Sequence, residues 1–169
     1  MDISIIVAVA KNNAIGKNND LLWHLPADMK FFKEKTTGHC VLTGRKNYES
    51  IPEKFRPLPN RTNIVVTRSA DYNAPGAHVV ASVDEGIALA KSLNETELFI
   101  IGGGQIYMEA MIRNLASTLY ITHVDEIFEA DTFFPSINPQ KWHKTMSINC
   151  TKDEKNPYNY EFATYKRMK

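Results

Sequence analysis

Apolar residues gather in short β-branched blocks at residues 3–10, 40–43, 62–67, 78–81, 98–101 and 118–124. Each is too brief for a buried helix and reads as a strand covered on both faces. Between several of them, apolar positions recur at helical spacing over residues 27–35, 46–50, 83–93 and 105–113. Strands alternating with helices predict an α/β fold with a mainly parallel sheet, whose right-handed crossovers place ligand sites at the strand carboxyl ends. The last stretch breaks the pattern. Residues 143–152 and 158–167 alternate with period two around DEKNP, which predicts a hairpin and an antiparallel edge.

Length and composition narrow the class. The chain has 169 residues, 43% hydrophobic, enough for one domain over residues 1–169 that buries about 70% of its unfolded surface. Twenty basic against nineteen acidic residues give a net charge of +1, with no long run of one sign. That balance points away from nucleic acid and membrane surfaces and toward a small-molecule partner. Cys40 and Cys150 are far apart and fit neither CxxC nor zinc spacing, the usage of a reduced cytoplasmic protein. The first apolar run, eight residues without a basic segment before it, suits neither a signal peptide nor a membrane span.

Three consecutive glycines, Gly102, Gly103 and Gly104, separate a strand from a helix. Glycine permits positive φ and close approach to the main chain, and a helix opening there offers unpaired N–H groups to a phosphate. The same turn would also serve close packing. It is not the dinucleotide fingerprint, which requires glycine where Tyr107 stands.

In WHLPADMKFFK, Pro26 fits the first helical position and puts Asp28 in the first turn. At 100° per residue Asp28 shares a sector with Phe31 and Phe32, opposite Lys30, Lys33 and Glu34. A first-turn aspartate can simply complement the helix dipole in water. Turned inward, it needs a partner, and an edge of two adjacent N–H groups, as on pterins and pyrimidines, matches it bidentately. Arg45, Lys46 and Arg68 follow the strands at 40–43 and 62–67, where a basic cluster suits the ribose phosphate of NADPH. The polar loop 12–23 is a candidate lid, and the Pro-rich connection 52–61 a candidate binding loop. No nucleophile elbow, HExxH or metal spacing is present, and the five histidines read as structural or exposed. Hydride transfer needs none of these, because the cofactor carries the reactive step.

Taken in order, VAVAKNNAIGKNNDLLWHLPADMKFFK, VLTGRKNYESI, RPLPNRTNIVVT, FIIGGGQIY, LYITHVD and ADTFFP resemble the bacterial dihydrofolate reductases across nearly the whole chain. The resemblance implies a mixed eight-stranded sheet with four main helices, and reduction of 7,8-dihydrofolate to tetrahydrofolate by NADPH. It implies a catalytic set of Asp28, Trp23, Leu21 and Tyr107, with Asp28 gripping the pterin 2-amino group and N3 and Thr122 supporting it. Ile6, Val7, Ala8, Met29, Phe32, Ser50, Ile51, Leu58 and Ile101 would contact the substrate, and Arg61 would pair with its glutamate carboxylate. Ala8, Ile15, Gly16, Asn19 and Asp20 resemble nicotinamide-side contacts, joined by Tyr107. The glycine corner with Gln105 and Ile106 resembles the pyrophosphate site, and Gly44, Arg45, Lys46, Asn47, Thr67, Arg68 and Ser69 the adenosine phosphate side. Asp131 resembles the position that steadies the lid.

The chain departs from the commoner pattern at Leu22, where proline usually precedes the tryptophan, at Asn47, where threonine is frequent, and in the longer 52–61 loop. A monomer that binds antifolate inhibitors and no metal completes the expectation. Two rivals share parts of the pattern: a reductase of a ribosylated pyrimidine in riboflavin synthesis, and a noncatalytic nucleotide-binding module. WHLPAD and PLPNR favour the pterin reading over both.

Overall fold

Ile5 and Ile6 face opposite sides of one sheet, and that alternation organises the molecule. The structure, a computed structural model, describes residues 1–18 and 20–169. In chain order the described elements are β1 (Asp2–Ala10), β2 (Ala14–Gly16), α1 (Pro26–Thr36), β3 (Cys40–Gly44), α2 (Arg45–Ser50), β4 (Thr62–Val66) and β5 (His78–Val80). Then come α3 (Val83–Ser92), β6 (Glu97–Gly102), α4 (Gly104–Ile112), β7 (Thr118–Val124), β8 (Thr132–Phe133), β9 (Trp142–Cys150) and β10 (Tyr160–Arg167).

Eight strands form one mixed sheet in the order β5-β4-β3-β6-β1-β7-β10-β9. The pairings from β5 through β7 are parallel, and β10 runs antiparallel to both β7 and β9. Period-two alternation divides the core. Ile5, Leu42, Ile64, Ile100 and Ile121 pack with residues of α3 and α4, while Ile6, Val41 and Phe99 pack with Phe31 and Phe32 of α1 and with Leu58. Among the described residues no helix is long and apolar enough to cross a membrane.

One connection is longer than the sequence expectation, and two others carry local structure of their own. The C-terminal hairpin loop spans residues 151–159 rather than five residues, because Asp153, Asn156 and Asn159 bond loop backbone and take it out of the strand ladder. The candidate lid contains β2, which pairs with β8 over Ala14↔Phe133 and Gly16↔Thr132. The Pro-rich connection holds a single 3₁₀ turn, Glu53–Phe55.

Candidate active site

A crevice opens where β1 and β6 part. They pair from Asp2↔Glu97 to Ile5↔Ile100 and no further, whereas β1 stays paired with β7 as far as Ala10↔Val124. The connection leaving β1 packs α1 on one face and the connection leaving β6 packs α4 on the other, so the gap is a topological switch point at strand carboxyl ends. Strand separation strands carbonyl groups that must find other donors. The Tyr107 hydroxyl donates to the Ile6 carbonyl at 2.9 Å, and Asn47 Nδ2 donates to the Ile101 carbonyl at 3.3 Å and to Thr43 Oγ1 at 2.9 Å. Tyr107 thus bonds β1 from the α4 side of the gap, and Asn47 joins β6 to β3 on one side of it. Burial pushes the Tyr107 phenol well above its ordinary value, helped by the negative charge of Asp28, so it stays a neutral donor.

Asp28 stands on the α1 side. Proline at the first helical position directs the first turn, and Thr122 Oγ1 from β7 donates to Asp28 Oδ1 at 2.6 Å. Thr122 is only 2% exposed, so this bond is made out of bulk water. Burial raises the Asp28 carboxyl above the usual carboxylate range and the Thr122 bond opposes that rise. Among the described residues no cationic side chain lies within salt-bridge distance of it, which leaves a desolvated carboxylate with acceptor capacity to spare. Phe31 of the same helix stacks on Phe162, ring centroids 4.5 Å apart, while Lys30, Lys33 and Glu34 are exposed.

The loop before β4 supplies a held cation. Arg61 Nε donates to the Pro59 carbonyl at 2.9 Å and Nη1 to Thr36 Oγ1 at 3.1 Å, with the guanidinium over the Phe32 ring. Burial lowers the Arg61 guanidinium below its ordinary value, and among the described residues no carboxylate is within ion-pair distance. Asn63, buried and unforeseen from the sequence, fixes this loop. Its Oδ1 accepts from Leu58 N at 2.9 Å, and its Nδ2 donates to the Leu58 and Arg61 carbonyls at 3.0 and 3.1 Å.

On the opposite wall the three glycines differ. Gly102 has φ +126°, the conformation that glycine tolerates. At Gly103 a Cβ would meet only Asn47 Cβ at 3.6 Å, so its surface stays open to a ligand. At Gly104 a Cβ would come within 2.5 Å of Thr132 Cγ2, so here the missing side chain serves packing. No side chain caps α4, and its N-terminal N–H groups, with the open face at Gly103, fit a pyrophosphate. Gly44 lies against the same corner, where its Cβ would meet Ile106 Cγ1 at 3.2 Å. Arg45 stacks over Tyr72 at 4.3 Å and bonds Glu49 at 3.2 Å. Arg68 is exposed beyond β4, and Thr67 Oγ1 accepts from Ser69 N at 3.2 Å.

The early loop is tied to the β7–β9 connection. Asp131 Oδ2 accepts from Asn18 N at 2.8 Å, Oδ1 accepts from Thr132 Oγ1 at 2.9 Å, and Asp131 N donates to the Gly16 carbonyl at 3.1 Å. The Asn18 N–H, first among these, holds the Asp131 carboxyl below its ordinary value.

Ile6, Phe32, Leu58 and Ile101 share one apolar cluster, and Ala8 is in register with Thr122. Val7, Ile15 and Ile106 pack instead into the core on the α3/α4 face, so only the Val7 backbone is available on the Asp28 side. Ile51 sits with Tyr48 and Val65. Leu21 is 72% exposed, Met29 is 55% exposed, and Asp20, Lys46, Ser50 and Gln105 are exposed as well. Trp23 tilts against Phe128, centroids 5.2 Å apart. Asn19 lies outside the described residues.

A central crevice with a desolvated carboxylate on one wall and an open glycine corner on the other suits an α/β oxidoreductase that works with a nucleotide cofactor. A family model described as dihydrofolate reductase matches residues 2–167. The dihydrofolate reductase of Bacillus subtilis (strain 168) is 44% identical over 165 residues, covering 98% of this chain and 94% of that protein. That of Neisseria gonorrhoeae is 48% identical over 144 residues, 85% of each chain. A solved structure described as dihydrofolate reductase from Enterococcus faecalis complexed with NADP(H) and RAB-propyl superposes with a TM-score of 0.90 at 40% identity, covering 99% of this chain and 97% of that one. The chain belongs to the dihydrofolate reductase family.

Proposed function

We propose that Asp28, Arg61 and the glycine corner are the groups with which this chain reduces 7,8-dihydrofolate to 5,6,7,8-tetrahydrofolate at the expense of NADPH. The observation that carries the assignment is Asp28, a carboxylate lifted above its usual range by burial, bonded to Thr122 and lacking any cationic partner among the described residues. Its acceptor sites suit the adjacent N–H groups of the pterin 2-amino group and N3. Arg61, fixed by Pro59 and Thr36, pairs with the substrate's glutamate carboxylate.

Gly102, Gly103 and Gly104 would hold NADPH at its pyrophosphate and Arg45, Lys46 and Arg68 at its ribose phosphate, and the cofactor, when bound, would supply a hydride for C6 of the pterin. Asp28 orients the ring and its negative charge favours a proton at N5, with water as the immediate donor. Tyr107, kept neutral by burial, braces the crevice through the Ile6 carbonyl rather than moving a proton. The loop tied down by Asp131 keeps bulk water from the reacting face.

The chain works as a cytoplasmic monomer without nucleic acid. The net charge of +1 supports the absence of a polyanion partner, and the most exposed large apolar side chains, Leu21, Ile112 and Ile127, lie on three separate segments. Antifolates bearing a diaminopyrimidine edge compete at Asp28. Loss of NADPH absorbance on adding dihydrofolate tests the assignment. Turnover with a ribosylated aminopyrimidine and none with dihydrofolate would reject it.

A further inference from the structure

The first turn of α1 lacks a cap of its own. Its N-cap residue is Leu25, whose side chain bonds nothing, and Pro26 has no N–H. Asp28 N and Met29 N both reach the Leu25 carbonyl, at 3.0 and 3.1 Å, leaving the Ala27 N–H as the donor without an intrahelical partner. Asn156, 129 residues away in the β9–β10 loop, accepts it through Oδ1 at 3.0 Å.

Asn156 is built for that contact. It is 6% exposed, and its Nδ2 donates to Asp153 Oδ1 at 3.0 Å, which turns the amide oxygen toward Ala27. The same carboxylate oxygen accepts from the backbone N–H groups of Lys155 at 2.9 Å and Asn156 at 2.8 Å, while Asp153 N donates back to the Asn156 carbonyl at 2.9 Å. The loop is moored as well, through Asp125 N to the Asn159 carbonyl at 2.9 Å and Lys152 N to Asn159 Oδ1 at 2.8 Å. Beside it, Tyr160 joins Leu25 and Val124 in one buried cluster.

We propose that Asn156 is a positioning residue for substrate binding: by capping Ala27 from the C-terminal hairpin, it fixes the helix turn that aims Asp28 at the pterin. The inference rests on the reading of Asp28 as the pterin ligand. Thr122 holds the Asp28 side chain from β7, and Asn156 holds the backbone one residue before it from the β9–β10 loop. Two elements on different connections therefore set one carboxylate. Without the cap the turn frays, Asp28 keeps its charge but loses its direction, and the substrate is bound less tightly while the cofactor corner is untouched.

Steady-state kinetics of Asn156→Ala, of the exchanged pair Asp153→Ser/Asn156→Asp and of Asp28→Asn test this together. In the exchange a hydroxyl at 153 accepts from the loop N–H groups and donates to the carboxylate at 156, whose other oxygen accepts from Ala27. Asn156→Ala is expected to raise KM for dihydrofolate about fivefold, the scale of a lost helix cap, with KM for NADPH unchanged, and the exchanged pair to restore the parental value. An unchanged dihydrofolate KM in Asn156→Ala, or an equal rise for both substrates as general loosening would give, overturns the proposal. Should Asn156→Ala not fold, the exchanged pair decides: a parental dihydrofolate KM supports the cap, and a raised one overturns it. Normal dihydrofolate kinetics in Asp28→Asn would remove the underlying reading of Asp28. An impaired Asp28→Asn beside a normal Asn156→Ala removes the role of Asn156 alone.

Discussion

Thr122 and Asp28 meet across the gap between β7 and α1, the hydroxyl donating to the carboxylate at 2.6 Å. The bond satisfies one oxygen and only partly offsets burial, so the carboxyl keeps its proton to a higher pH in the folded chain than in the unfolded one. The sign of the stability effect follows. Between the ordinary carboxylate value of 3.8 and the raised folded value, the native chain binds more proton than the unfolded one, so stability falls as pH rises through that window. Asp28→Asn, which has no charge to bury, is therefore expected to melt higher than the parent at pH 7. The advantage should vanish as pH approaches 3.8. Thermal melts of both proteins across pH check this, and a lower Tm for the variant at pH 7 would show that Asp28 is not desolvated.

Asn63 makes three hydrogen bonds to the backbone of Leu58 and Arg61. Asn63→Ala leaves buried groups unpaired, at a cost of about 1–3 kcal/mol, and frees the loop that carries Arg61. The expected result is a lower denaturation midpoint together with a raised KM for dihydrofolate and an unaltered KM for NADPH. Equal effects on both substrates would place the Arg61 loop outside the substrate site.

What the sequence shows of this arrangement depends on range. Ile5 and Ile6, Val41 and Leu42, Phe99 and Ile100 alternate strictly, so both faces of the sheet are legible from period two. Asp28 is legible because Pro26 sets the helix start and the phenylalanines set the face. The pairing of β2 with β8 is not, since strands of three and two residues separated by more than a hundred positions carry no periodic signal. Asn63 and Asn156 look like ordinary turn residues. Only the fold shows that one brackets Arg61 and the other reaches a helix 129 residues earlier. The glycine corner is legible as a unit, but its division into a positive φ at Gly102, an open face at Gly103 and a packing contact at Gly104 depends on Asn47 and Thr132, which only the fold brings there.

Arg45 is shared between the Tyr72 ring and Glu49, and Arg68 is exposed at the end of the neighbouring strand. Removing both cations in Arg45→Ala/Arg68→Ser should erase the preference for NADPH over NADH, read as the ratio of kcat/KM values for the two cofactors. An unchanged ratio would move the ribose phosphate site elsewhere.

Gly104 abuts Thr132, the residue that pairs with Gly16 in the small sheet. Gly104→Ala is expected to cost about 1–3 kcal/mol through overpacking and to disturb the early loop. Thr132→Ser keeps the hydroxyl that bonds Asp131 and removes the colliding methyl, so the double variant should recover much of the lost stability. Denaturation of the two single variants and the double variant measures this coupling, and strict additivity would contradict it.

The most direct test is the single-turnover rate of NADPH oxidation by Asp28→Asn near neutral pH, measured beside its NADPH dissociation constant. A carboxylate that orients the pterin and favours a proton at N5 predicts a rate reduced about tenfold to a hundredfold, the worth of a lost charge-assisted bond, with cofactor affinity unchanged. A rate equal to that of the parent chain would contradict the account.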